Sequence, residues 1–278
     1  MNPNAAGLSA VSGNSPCPMC GAENSAGTPK CRFCGEVLAV SPKSGKWLSR
    51  IVTGLTVLAI LTVTVALLLP SVRRARPAAH RSQCRNNLKQ IALALYNYEA
   101  EYHAFPPAYT VDADGRPLHS WRTLILPYLD QGPLYNSIDL SKPWDDPANA
   151  EAFKTPVPVY CCPSYPGPSG HTTYLACVGE HACFRRTVPR LISEITDGLS
   201  NTLMVVEVPS DRAVLWMSPQ DADEALLLTV GKGSMLAHTG GMEAALCDGS
   251  IRFLSAEMPA ATRRALFSVA RGDMTGNF

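Results

Sequence analysis

The hydrophobic positions of the chain fall into three regimes. The first is an unbroken apolar run, Ile51 to Leu69, of nineteen residues without a charge. As a helix rising 1.5 Å per residue it covers roughly 28 Å, close to the hydrocarbon core of a bilayer. A long polar stretch precedes it, and it exceeds the apolar core of a cleaved secretory signal. The run therefore predicts a transmembrane helix over 51–70.

After Pro70 the spacing changes. Cys84, Leu88, Ile91, Leu95, Tyr98 and Tyr102 recur at steps of four and three, which places them on one stripe of a helix. Arg85, Asn86, Asn87, Lys89 and Gln90 occupy the other faces. The pattern is too short for a coiled coil, so it predicts a helix over 71–104 docked on a sheet of its own domain. Phe105-Pro106-Pro107 ends it.

The third regime, 105–278, reads as short strands and turns. Val111–Gly115 is a hairpin turn with Asp-Gly at its tip. Ser120–Leu129 is a short Trp-containing helix or strand that ends near Pro127. Thr202–Val208 and Ala244–Leu254 are strands, the second broken by Asp248-Gly249, and Ala260–Ala270 closes the chain with a helical pattern. Before the apolar run lie a small polar start over 1–16, a cysteine-bearing unit over 17–40 and a linker over 41–50. The whole is an α+β chain with a β-rich head.

Charge adds a split that the net value of +1 hides. No acidic residue lies between Val37 and Tyr98, where nine of the 24 basic residues fall. From Gln90 onward 13 basic residues face 21 acidic ones. Such a body is a poor holder of a phosphate backbone, so no nucleic acid is expected on the head.

Candidate chemistry begins with Cys17-Pro-Met-Cys20-Gly21 and Cys31-Arg-Phe-Cys34-Gly35, with ten residues between Cys20 and Cys31. Two such knuckles offer four thiolates to a tetrahedral Zn²⁺. Glycine after each second cysteine suits a turn that needs positive φ. Cys17, Cys20, Cys31 and Cys34 are thus the expected zinc ligands of a ribbon that metal binding largely folds. All four positions are filled by protein, so the ribbon's role is structural or partner-binding. Other combinations are weaker. Gly167–His171 lacks the pattern of a nucleophile elbow. Asp112–Asp114 opens like a calcium loop but has Pro117 and Thr123 where Gly and Glu belong. His171, Cys177, His181 and Cys183 have ligand-like types but read better as core residues or a Cys177–Cys183 disulfide. His238 and Asp248 read as a hydrogen bond stapling a loop to a strand turn, and Asp197 and Asn201 as turn residues. No nucleophile, base and orienting group assemble, so no enzyme is expected.

A run of short motifs gives a family resemblance. It comprises Leu67–Val72, Arg81-Ser-Gln-Cys84-Arg-Asn86-Asn87-Leu88-Lys89-Gln90, Phe105-Pro106-Pro107, Ser120-Trp121-Arg122, Leu126–Gln131, Cys162-Pro163-Ser164, Asp197–Thr202 with Glu207, and His238 followed after nine residues by Asp248-Gly249. In this order over roughly 67–255 they resemble a large bacterial family of prepilin-like proteins of unknown function. The resemblance implies a pilin-like build, with a transmembrane helix running on into a sheet-containing head outside the cytoplasmic membrane. Leu48, Ser49 and Thr53 stand where the leader's Gly, Phe and Glu belong, and Pro77 interrupts the Arg-Ala-rich helix. Leader cleavage and filament assembly are therefore not carried over.

Together these readings describe a single-pass protein of the cytoplasmic membrane. Its ribbon lies in the cytoplasm for an unknown protein partner, its head lies outside, and the helix can serve homo- or hetero-oligomers. The expected role is structural or in assembly at the cell envelope, with a ligand sensor or transport accessory as the alternative. Export implies oxidised cysteines, with Cys84–Cys162 and Cys177–Cys183 the preferred pairs and Cys161 and Cys247 left as buried thiols. Without the leader motif the N-terminus should be retained. Mass spectrometry of the membrane fraction should find residues 1–45 attached, and a mature form beginning within 46–49 would contradict this.

Overall fold

The computed structural model describes residues 14–38, 46–231 and 233–272. Most of the expected polar start and the first half of the linker lie outside the described residues. The chain divides into two compact units, Met1–Leu69 and Pro70–Phe278.

In the first unit two short strands, Ser15–Pro16 and Glu23–Asn24, pair antiparallel beside the cysteine turns. The unit also holds the first turns of a helix that spans Lys46–Tyr102. Ser49–Leu67 is the one segment among the described residues long and apolar enough to cross a membrane. Its Leu, Ile and Val side chains are exposed around the helix. Pro77 does not interrupt the helix as its sequence suggests, since helical turns continue through it.

The second unit is built on a four-stranded antiparallel sheet ordered Ile251–Ser255, Gly241–Leu246, Leu203–Glu207, Tyr174–Ala176. Alternation along the strands gives it two buried faces. Tyr174, Ala176, Val205, Ala245 and Cys247 face one core, into which the long helix sends Cys84, Leu88, Ile91 and Leu95. Leu175, Val206, Ala244 and Leu246 face a second core, closed by Leu266 and Phe267 of the helix Ala260–Phe267 and Leu227 of the helix Glu224–Thr229. A bulge between Leu203 and Val205 shifts the register of the central strand pair. The expected broken strand over 244–254 is a hairpin, reversed at Asp248-Gly249, where Gly249 has φ +79°.

The helix stripe departs from its reading at two places. Tyr102 is 56% exposed at the helix end, where His103 turns the chain with φ +58°. Asn87, expected outside, is buried: its amide donates to the Cys161 carbonyl at 2.9 Å. The hairpin of Tyr109–Val111 and Pro117–Ser120 forms as read, with Asp112 Oδ1 accepting from the Asp114 and Arg116 amides. Ser120–Leu129 becomes a helical turn, Trp121–Leu124, capped by the Ser120 hydroxyl, then a 3-10 turn over Leu126–Leu129.

Arg122, in that turn, is fully buried. Its guanidinium donates to the carbonyls of Trp216, Ser218 and Gln220 at 2.8–2.9 Å and to Asp221 Oδ1 at 2.7 Å. Burial pushes the Asp221 carboxyl up, opposed by Arg122 and by the Trp121 and Ala176 N–H groups. The pair thus holds the 216–221 loop against the core at the expense of desolvating two charges. Arg122→Ala strands a buried carboxylate and the backbone carbonyls of Trp216, Ser218 and Gln220, and should cost about 3–5 kcal/mol. Arg122→Lys should recover little, because an ammonium cannot reproduce the guanidinium's planar fan of donors. Denaturant titration of the full chain in detergent tests this, and a loss below about 1 kcal/mol would assign the pair no more than a surface ion pair's worth.

Candidate functional site

Two groups of ligand-type side chains converge among the described residues, one in each unit. The first is the expected Cys17, Cys20, Cys31 and Cys34. The two knuckles repeat one geometry. Cys17 N–H donates to the Ala22 carbonyl and Gly21 N–H back to Cys17 at 2.9 Å each. Cys31 N–H donates to Glu36 at 2.7 Å and Gly35 N–H back to Cys31 at 3.0 Å. Gly21 and Gly35 carry φ of +72° and +74°, which is why the sequence needs glycine there. The sulfurs face each other as Cys17–Cys34 at 3.5 Å and Cys20–Cys31 at 3.6 Å. Four thiolates each about 2.3 Å from a tetrahedral ion would stand about 3.8 Å apart, so the group fits a metal ion. Backbone N–H groups of Cys34 and Phe33, with the Asn24 amide, lower the Cys31 thiol to about 6 despite burial, while the neighbouring sulfurs and burial push Cys34 up to about 12. Asn24 is a residue the motif does not announce. Its Nδ2 donates to Cys31 Sγ at 3.4 Å while its Oδ1 accepts from Arg32 N–H at 3.0 Å, fixing the second knuckle from the strand.

The second group is one that the sequence does not announce as a single site. Cys84 comes from the long helix, Cys162 from the loop after the 3-10 turn Pro158–Tyr160, Glu207 from the central strand, and His238 from the loop before Gly241. All four are buried. Cys84 Sγ lies 2.8 Å from Cys162 Sγ, both as free thiols. His238 Nε2 lies 3.9 Å from Cys162 Sγ and 3.4 Å from Glu207 Oε2. Glu207 Oε1 has no hydrogen-bond partner. Burial, then Cys162, push the Glu207 carboxyl up to about 8. Burial alone would lower His238, but Cys162, Glu207 and Glu243 outweigh it and raise the imidazole. The set is not a hydrolase triad. Both contacts of the imidazole run to the same nitrogen, whereas a nucleophile–base–carboxylate relay uses both.

Around this group the interface is polar. Glu243, on the neighbouring strand and fully buried, accepts from Arg81 Nε at 2.6 Å, with Arg85 Nε 4.0 Å away. The Arg81 guanidinium also stacks 3.8 Å above the Phe253 ring.

Other expectations resolve differently. His238 and Asp248 do not staple together, because Asp248 turns outward and accepts from Ser250 N–H at 2.8 Å. His171, Cys177, His181 and Cys183 do not gather into a ligand set among the described residues. Cys177 and Cys183 are free thiols in separate cores. Asp197 accepts from the Arg271 and Gly272 amides at 2.8 Å, a loop anchor, as its turn-residue reading implies. The missed signal is Glu207: a carboxylate ending the apolar strand Leu203–Val206 must find a partner, and sequence alone does not say which.

For the ribbon, elemental analysis of reduced, purified protein should find a metal ion that Cys17→Ser removes and that acid displaces, since protons compete for sulfur. Equal metal content in the two proteins would exclude ligation by these sulfurs.

No curated protein and no solved structure matches the chain. Residues 73–187 match a family described as "Protein of unknown function (DUF1559)". The match takes in Cys84 and Cys162 and stops before Glu207 and His238. Over residues 73–187 the chain is thus similar to that family of unknown function.

Proposed function

We propose that the protein is a non-enzymatic, single-pass component of the cytoplasmic membrane with a pilin-like head outside and a zinc ribbon inside, acting in structure or assembly at the cell envelope. The observation that carries the reading is one helix with two kinds of surface. Over Ser49–Leu67 its apolar side chains are exposed among the described residues, and at Cys84–Leu95 a stripe is buried on an antiparallel sheet. Lipid is the natural cover for the first surface.

Charge counting alone argues against this orientation, because Arg73, Arg74, Arg76, Arg81, Arg85 and Lys89 follow the span. Two of these cations are engaged by the head, since Arg81 pairs with buried Glu243 and Arg85 stands near it. The place of Arg81 after the span is thus also accounted for by its contact with the head. A four-thiolate site also belongs in a reducing compartment, which supports a cytoplasmic ribbon and Zn²⁺ as its ion. Met19, Phe33 and Val37 are exposed on the ribbon, an apolar surface suited to a protein partner.

A reporter fused after Phe278 tests the orientation. Alkaline phosphatase should be active there and a cytoplasmic fluorescent protein dark. The reverse pattern would place the head in the cytoplasm and remove the envelope role.

A further inference from the structure

We propose that Cys84, Cys162, Glu207 and His238 bind a tetrahedral divalent metal ion of the zinc class, which ties the long helix to the central strand and two loops of the head and, where the head is exported, holds as thiolates two sulfurs that would otherwise oxidise to a bridge. The donor set is two sulfurs, one imidazole nitrogen and one carboxylate oxygen, a mixture that suits zinc-like ions. The ligand atoms already lie within 4.8 Å of one another. Tetrahedral coordination would separate N and O by about 3.4 Å, N and S by about 3.6 Å and the two sulfurs by about 3.8 Å. The observed His238–Glu207 distance of 3.4 Å and His238–Cys162 distance of 3.9 Å are close to these. Of these three distances, the 2.8 Å thiol–thiol approach must open. Each thiol proton is released to solvent as its sulfur ligates.

Two further observations point to a ligand. Glu207 Oε1 is buried without a partner, a costly arrangement that a disulfide between Cys84 and Cys162 leaves untouched and that an ion at the centre of the group relieves. The surrounding charge is compatible with a cation. The ion would offset the two thiolates, while Glu243 beside them is already paired with the half-exposed Arg81. Access exists: a surface cleft of about 590 Å³, lined by Leu236, His238, Thr239 and Gly240 among others, opens beside the imidazole. With all four positions filled by protein and no open coordination site, the ion's role is structural.

The test uses the full chain in detergent, purified under reducing conditions with zinc. Replacing the four ribbon cysteines by serine isolates the head site. That protein should retain one equivalent of zinc, and adding Cys162→Ser or His238→Ala should abolish it. Cobalt loaded in its place should give the visible bands of a tetrahedral ion with thiolate charge transfer about half as intense as that of a four-thiolate site. Where those variants fail to fold by circular dichroism, Glu207→Gln, nearly isosteric, should weaken zinc binding at least tenfold in chelator competition. A folded ribbon-free chain without zinc, zinc unaffected by these substitutions, or a Cys84–Cys162 bridge in metal-free protein mapped from alkylated membranes would overturn the proposal. Because the ribbon is absent from this arm, failure of the ribbon and failure of the head site are read separately.

Discussion

Two carboxylates buried on the helix-facing side of the central strands, Glu207 and Glu243, set the constraint on which the head depends. A sheet face covered by a helix would ordinarily be apolar throughout, and at Leu88, Ile91 and Leu95 it is. One turn and more toward the N-terminus the same interface becomes polar. Here the helix must supply Arg81 to Glu243, and His238 must reach Glu207 from the loop. Each buried charge would cost several kcal/mol if left alone. The helix therefore has one register on the sheet, because a shift by a residue would separate Arg81 from Glu243 and Asn87 from the Cys161 carbonyl.

Hydrophobic burial supplies the driving force, and the polar group supplies position. Leucine and isoleucine stripes tolerate sliding; a guanidinium–carboxylate contact at 2.6 Å over an aromatic ring does not. The same division holds at the opposite edge of the core, where Arg122 and Asp221 fix a loop that apolar contacts alone would leave free. It also orders the sequence of the helix: Arg81, after the apolar segment Ser49–Leu67, meets Glu243 on the sheet.

Local spacing reveals what local physics decides. The apolar span, the stripe from Cys84 to Tyr98, the Asp-Gly hairpin and the paired cysteine knuckles each depend on residues within a few turns of one another. The meeting of Cys84 and Cys162 is also anticipated, as a disulfide. Hidden are contacts across the fold. Nothing near Asn87 says that its amide will enter the core, since its partner is 74 residues away. His238 and Asp248 share a motif, yet the hairpin turn at Gly249 sends Asp248 outward while His238 reaches inward to a strand the motif does not contain. Asn24 escapes notice for the same reason: its role depends on where the second knuckle lands.

The claim that buried polar contacts fix the helix on its sheet is most directly tested by a double-mutant cycle on Arg81 and Glu243. Arg81→Met, Glu243→Gln and the pair would be measured by denaturant unfolding of the full chain in detergent. Each single change should be destabilising, and the double mutant should be more stable than their sum implies, with a coupling on the order of 1–3 kcal/mol. Additive losses, with coupling within about 0.3 kcal/mol of zero, would mean that the helix is held by its apolar stripe alone and would contradict the account.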